Sequence, residues 1–162
     1  AQVYYGDYLD KFISYFKDNG TLSRVLTSDE VLSDILLKMA TCSVNANDHT
    51  LGGIYIDAVI KLDHPKFTPM AYMCKGKIAM INGKFWEQIK YNTIAIEQDP
   101  TLVHAWQDRC DAWMAVGRDD KAHEDRRRAS ILIRKKIWED KAGEINKPKI
   151  KDQITEFTSM PK

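Results

Sequence analysis

Residues 67–100 read FTPMAYMCKGKIAMINGKFWEQIKYNTIAIEQDP, and residues 101–134 read TLVHAWQDRCDAWMAVGRDDKAHEDRRRASILIR. The two segments match each other at a spacing of 34 residues (for example 106 − 72). The matched pairs are Ala71-Tyr72 with Ala105-Trp106, Met80 with Met114, Gly83 with Gly117, and Ala95 with Ala129. A fixed period of this length indicates a supersecondary unit that stacks on copies of itself. The chain is therefore predicted to contain two tandem units, over about 66–100 and 101–134.

Each unit has the pattern of a helix, a short turn and a second helix. Apolar residues recur three and four positions apart, whereas the alternation typical of strands does not persist. Glycine marks each turn, and capping residues or proline mark the ends of the helices. The predicted starts, turns and ends are Thr68-Pro69, Asn82-Gly83, Asp99-Pro100, Thr101, Gly117 and Asp119, with the last helix running to about Lys141.

Helical patterns also precede the two units. Thr27 followed by Glu30 has the spacing of a capping box, which predicts a helix that ends near the polar segment 45–48. The next helix is predicted over 51–62. Together these two helices are predicted to form a third, degenerate unit over about 30–65, in which Ala58 and Pro65 fit the repeat only with a one-residue shift and a rearranged turn.

The whole chain is predicted to be all-α. Tyr5, Leu9, Phe12 and Phe16 fall on one face of a further helix at the N-terminus, which brings the predicted number of helices to seven. The helices are joined by short connections, so neighbours are expected to be antiparallel. We predict one helical domain over 1–145 and a C-terminal tail over 146–162.

The 34-residue units resemble tetratricopeptide repeats. In that register Tyr72 and Trp106 hold the large aromatic position, and Gly76 and Cys110 hold the small position where the helices of a hairpin approach most closely. The resemblance implies an α-solenoid with an extended C-terminal capping helix. Some positions depart from the family pattern, because they hold neither its usual small residue nor its usual aromatic residue; they are Gln88, Asn92 and Arg126.

The family resemblance also implies a partner-binding groove lined by the first helix of each unit. The residues carried over to it are Met70, Met73, Cys74, Lys77, Met80, His104, Gln107, Asp108 and Asp111, and Lys38, Met39 and Cys42 extend it from the degenerate unit. Methionine suits adaptable apolar contacts, but methionines at helical spacing equally fit an ordinary core. The clamp that some family members use for a C-terminal carboxylate is not expected, because Asp108 would repel that group.

No pattern for catalysis or for a cofactor is present. His104, Asp108 and Asp111 share a helix face, but no second histidine lies at a useful spacing, so a polar wall is favoured over a metal site. The three cysteines form no CxxC pair, and they fit a reducing intracellular compartment, cytoplasmic or mitochondrial. The chain is expected to be non-enzymatic, without cofactor or metal, and it contains no apolar run long enough to span a membrane.

The last predicted helix carries a basic cluster. Its cations are Arg126, Arg127, Arg128, Arg134, Lys135 and Lys136. The net charge of the whole chain is only +1, so no global field attracts nucleic acid. The leading hypothesis is therefore a scaffold or adaptor that binds proteins within a larger assembly. The alternative hypothesis is a ribonucleoprotein component whose basic helix contacts RNA phosphates.

Overall fold

The computed structural model describes residues 28–145, and all regular secondary structure in that range is α-helical. The helices are α1 (Asp29–Asn45), α2 (His49–Leu62), α3 (Thr68–Ile81), α4 (Phe85–Gln98), α5 (Val103–Ala115) and α6 (Asp119–Ile145). The prediction of an all-α fold is confirmed for this range. The predicted N-terminal helix and the tail over 146–162 lie outside the described residues. None of the six described helices is both long enough and apolar enough to cross a membrane.

The helices pack as tandem hairpins. Each helix from α1 to α4 contacts the next one along the chain, and the alternate helices α1, α3 and α5 also contact one another in turn. This packing is that of the predicted helical-hairpin solenoid. The chain divides after Ala129, within α6, into two compact units. The first unit holds α1 to α5 and residues 119–129 of α6, and the second begins at Ser130.

The turns inside the hairpins keep the predicted register. Gly83 and Gly117 both adopt left-handed backbone conformations, with φ of 70° and 73°. In the first hairpin the equivalent conformation belongs to Asn47, with φ of 66°. Asn47 precedes Gly83 by 36 residues (83 − 47), whereas Gly117 follows it by 34 (117 − 83). The degenerate unit is therefore a true hairpin whose register differs from the others by two residues.

The starts of four helices differ from the predicted caps; Asp119, for example, is the first residue of α6 rather than its cap. Ser28, not Thr27, caps α1, and its Oγ accepts from the Val31 N–H at 3.3 Å. Thr68 is the first residue of α3 rather than its cap, because the helix starts one residue earlier, after Phe67.

Thr101 likewise does not cap α5, which begins at Val103. Its N–H and its hydroxyl both donate to Asp99 Oδ1, at 2.9 and 2.6 Å. In this Asx-type turn the Thr101 side chain is hydrogen-bonded to Asp99 and does not cap the helix that follows. Thr101 thus indicated correctly where the connection between α4 and α5 lies, but it does not act as the cap of α5.

Two clusters of buried side chains form the core of the first unit. The larger cluster joins the first hairpin to the start of α3; its fully buried members include Leu36, Ile56, Val59 and Ala71. The smaller cluster joins α4 to α5 through Ala95, Ile96 and Ala105. Tyr72 and Trp106, at the predicted aromatic positions, both pack against the smaller cluster.

The turn glycines give a test of this register. Gly83→Ala is expected to lower the free energy of unfolding by about 1 kcal/mol, because alanine is strained in the left-handed conformation. Gly53 is the matched control: it lies within α2, and nothing lies within 4 Å of where its Cβ would stand. Gly53→Ala is expected to raise the free energy of unfolding by about 0.5–1 kcal/mol. Urea unfolding of the two variants measures both changes in the free energy of unfolding. Changes in the same direction would contradict the left-handed conformation of Gly83.

Candidate partner-binding site

A pocket opens between α1, α3 and α5. Its volume is about 190 Å³, and α1 and α3 supply most of its wall. The lining residues are Leu37, Thr41, Val44, Asn45, Met70, Met73, Cys74, Lys77 and Asp108. Hereafter these nine residues are the α1/α3/α5 pocket. It lies where successive first helices contact one another, which is the face that the resemblance assigned to a groove.

Part of the predicted groove is present in this pocket and part is not. Five predicted residues line it: Met70, Met73, Cys74, Lys77 and Asp108. The other four are exposed and do not line it: Met80, His104, Gln107 and Asp111. His104 Nδ1 lies 3.1 Å from Gln107 Oε1, one turn along α5. Four of the five α3 residues predicted for the groove thus line the pocket, whereas Asp108 is the one predicted α5 residue that does so.

The α1 residues that line the pocket are not those predicted for the groove. Lys38, Met39 and Cys42 do not line the pocket, whereas Leu37 and Thr41 do. The reason is the register of the first hairpin. Leu37 and Thr41 precede Met73 and Lys77 of α3 by 36 residues (73 − 37 and 77 − 41), whereas the predicted Lys38 and Cys42 precede them by 35 (73 − 38 and 77 − 42).

The pocket wall is largely apolar and contains one cysteine. Leu37 and Val44 face it from α1, and Met70 and Met73 face it from α3. Burial raises the pKa of the Cys74 thiol, against the opposing effects of a hydrogen bond with Thr41 and the charge of Lys77. Cys74 is therefore a neutral thiol at neutral pH and not an activated nucleophile.

Asp108 is the single acidic residue of the pocket. Burial raises the pKa of its carboxyl group, and the neighbouring charge of Asp111 adds to this effect, while His104 and Lys77 oppose it. Within residues 28–145, no hydrogen bond or ion pair reaches the Asp108 carboxylate. Its backbone carbonyl, by contrast, accepts from Gln88 Nε2 at 2.9 Å. The main chain of α5 is thereby fixed while the carboxylate remains available to a ligand.

Residues that depart from the repeat pattern position the pocket. Gln88 is buried in α4 and makes the hydrogen bond to α5 that a small residue at this position could not make. Asn92 is also buried, and its Oδ1 would lie 3.1 Å from a Cβ at Gly76. The hairpin formed by α3 and α4 thus holds a buried polar side chain, Asn92, against Gly76, where the family pattern has an aromatic residue.

A buried ion pair, absent from the sequence-based predictions, holds α5 in place. Arg109 donates from Nε and Nη2 to the two carboxylate oxygens of Asp125 in α6, each at 2.8 Å. Its Nη1 donates to Thr93 Oγ1 in α4 at 3.0 Å. The Asp125 side chain is only 3% exposed. Arg109 therefore joins three helices and adjoins the pocket residue Asp108 in sequence.

The same arrangement occurs one repeat earlier. Lys75 precedes Arg109 by 34 residues (109 − 75). Its Nζ lies 2.7 Å from Asp57 Oδ1 in α2 and 5.4 Å from the centre of the Tyr91 ring in α4. A cation in each first helix thus reaches both the preceding second helix and its own. The shared position of Lys75 and Arg109 in the repeat was the sequence signal that could have revealed this contact.

The other predicted residues concern a possible metal site and the basic cluster of the last helix. The described part of the chain contains no group of three His, Cys, Asp or Glu side chains that could hold a metal ion. Arg126, Arg127 and Arg128 are exposed in the first unit, and Arg126 Nη2 lies 3.3 Å from Met114 Sδ. Arg134, Lys135 and Lys136 are exposed in the second unit, where Lys135 Nζ lies 3.8 Å from Glu139 Oε1.

A comparison of the chain with protein-family models gave no match, and a comparison with curated proteins gave no significant match either.

The three cysteines give an independent test of the pocket geometry. Cys42 is exposed, Cys74 is half-buried and Cys110 is buried, and burial raises the pKa of the last two thiols. Because the thiolate is the reactive form, a thiol-specific aromatic disulfide at neutral pH is expected to modify Cys42 first, Cys74 slowly and Cys110 only in denaturant. Cys42→Ser should remove the fast phase. A fast phase that persists in this variant would contradict the burial of Cys74.

Proposed function

We propose that this protein is a tetratricopeptide-like scaffold, a non-catalytic subunit that binds a segment of a partner protein in the α1/α3/α5 pocket. The observation that carries the proposal is the pocket itself. It lies on the face shared by the first helices of three successive hairpins, and two flexible methionines, Met70 and Met73, form part of its wall.

The size of the pocket favours a protein side chain over a cofactor or metabolite. Its volume of about 190 Å³ exceeds the roughly 150 Å³ of a cavity that holds benzene. It is below the range of about 300–1,000 Å³ that is usual for small-molecule sites. One large side chain of a bound segment fits this volume, while the rest of the segment would lie along the exposed residues of α1, α3 and α5.

A pull-down from a lysate of the source cells tests the proposal. The tagged full-length chain is incubated at moderate salt, with and without nuclease, and bound proteins are identified by mass spectrometry. A reproducible set of proteins that survives nuclease treatment supports a protein scaffold. Loss of every partner on nuclease treatment contradicts it.

A second candidate function is RNA binding by the basic part of α6. It is favoured by the exposure of Arg127 and Arg128, which make no ion pair with any residue in the range 28–145. Contacts of this kind would be to phosphates and would weaken steeply with salt. The triple variant R126Q, R127Q and R128Q separates the candidates: it should retain the protein partners if the scaffold is correct, and it should lose RNA if the basic helix is the site.

A further inference from the structure

We propose that the α1/α3/α5 pocket anchors a basic side chain of the partner, arginine or lysine, whose aliphatic stem packs on the methionines and whose cationic end binds the Asp108 carboxylate. This inference rests on the proposed function and specifies the chemistry of the segment that the scaffold binds.

Asp108 is placed to bind a ligand and not to stabilise the fold. It lines the pocket from α5, while the neighbouring Arg109 is fully engaged with Thr93 and Asp125. Lys77, the one cation of the pocket, is exposed and makes no ion pair with Asp108 or with any other residue that the structure describes. Because no internal partner holds the carboxylate, an incoming cation would not have to displace one.

The alternative occupant, a purely apolar side chain, is disfavoured by desolvation. It would remove water from Asp108 without supplying a hydrogen bond, and a buried carboxylate without a partner is strongly destabilised. A cation removes this cost by forming charge-assisted hydrogen bonds. Asp111, one turn further along α5, adds negative charge near Asp108, while His104 and Lys77 act on the same carboxylate with positive charge. The preference for a cation therefore depends on direct contact with Asp108.

The apolar wall suits the stem of a long basic side chain. Arginine and lysine bury their methylene groups along apolar surfaces while their charged ends reach a polar group. Leu37 and Val44 of α1 and Met70 and Met73 of α3 supply such a surface, and Asp108 of α5 supplies the polar end. A short acidic or small polar side chain would match neither part of this wall.

A randomised display library of twelve-residue peptides, selected on the immobilised full-length chain, tests the inference. Selected peptides are synthesised, and their dissociation constants are measured by fluorescence anisotropy. Enrichment of arginine or lysine at one position, next to apolar residues, is the expected result. Replacing that residue by norleucine should weaken binding on the order of 30-fold.

The protein variant D108N should weaken the same peptide by a similar factor, and combining both changes should cost little more than either one alone. D111N is the matched control on the same helix, because Asp111 is exposed outside the pocket, and it should weaken binding less than about threefold. Circular dichroism and thermal unfolding check that D108N remains folded, as expected for a carboxylate without internal hydrogen bonds.

The outcomes separate this inference from the function on which it rests. Peptides that bind through an apolar anchor with no response to D108N would overturn the basic anchor and leave the scaffold intact. Equal losses for D108N and D111N would also overturn it, because they would indicate a diffuse field and no contact in the pocket. If no peptide or partner binds the folded chain, the proposed function itself fails.

Discussion

Asp125→Ala is expected to lower the free energy of unfolding by about 3–5 kcal/mol, since it removes one partner of a buried ion pair and leaves the other without compensation. The Asp125 side chain is 3% exposed and that of Arg109 is 16% exposed, so water cannot readily replace the lost contact. The bidentate geometry, with two distances of 2.8 Å, adds to the cost of breaking the pair.

Urea unfolding followed by circular dichroism measures this effect. Asp34→Ala is the matched control, because Asp34 pairs with Lys38 on the surface of α1 at 2.6 Å. That exposed pair is expected to contribute less than about 1 kcal/mol. If the two aspartate variants shift the transition equally, the ion pair of Arg109 is not the link between α4, α5 and α6 that its geometry indicates.

Replacing both partners by apolar residues should recover much of the loss. The double variant R109M and D125L leaves no buried charge, and such replacements are often neutral or stabilising in other proteins. However, Arg109 also binds Thr93, so some cost should remain. A double variant as unstable as Asp125→Ala would indicate that packing around these side chains matters more than their charges.

The repeat made most of the fold predictable. The spacing of 34 residues predicted the hairpins of α3 with α4 and of α5 with α6. Both turns need a left-handed backbone conformation, which favours glycine, so each turn is recognisable in the sequence whatever the helices pack against. The first hairpin was harder to align, since Asn47 takes the place of the turn glycine. Asparagine tolerates this conformation but also occurs in many other turns.

The pocket was less predictable than the fold. A register error of one residue rotates a helix by about 100°, which moved the predicted face of α1 from Leu37 and Thr41 to Lys38 and Cys42. The contacts of Gln88 and Arg109 join different helices, so they depend on how closely those helices pack, which the pattern of residues within one helix does not show. Departures from the repeat pattern nevertheless pointed to Gln88, and the structure shows that it contacts the backbone of Asp108.

Thr41→Trp is expected to weaken binding of a selected peptide or purified partner by about 100-fold, which corresponds to the loss of a central anchor contact. Thr41 is exposed and lines the pocket from α1, so an indole at this position would occupy the space that the anchor needs. Its hydroxyl donates to the Leu37 carbonyl, at 2.9 Å, within the same helix, and Thr41 also forms a side-chain hydrogen bond with Cys74.

Stability should change little in this variant, because threonine and tryptophan have similar helix propensities and the side chain is at the surface; a shift below about 1 kcal/mol is expected. Cys42→Trp places the same indole on the adjacent exposed position, outside the pocket, and should bind normally. Isothermal titration calorimetry with the two variants distinguishes a filled pocket from a general effect of added apolar surface. Normal binding by Thr41→Trp would move the interaction away from the α1/α3/α5 pocket. The exposed hydrophobic residues of α6 beyond Ala129, among them Ile137 and Trp138, would then be the next surface to test.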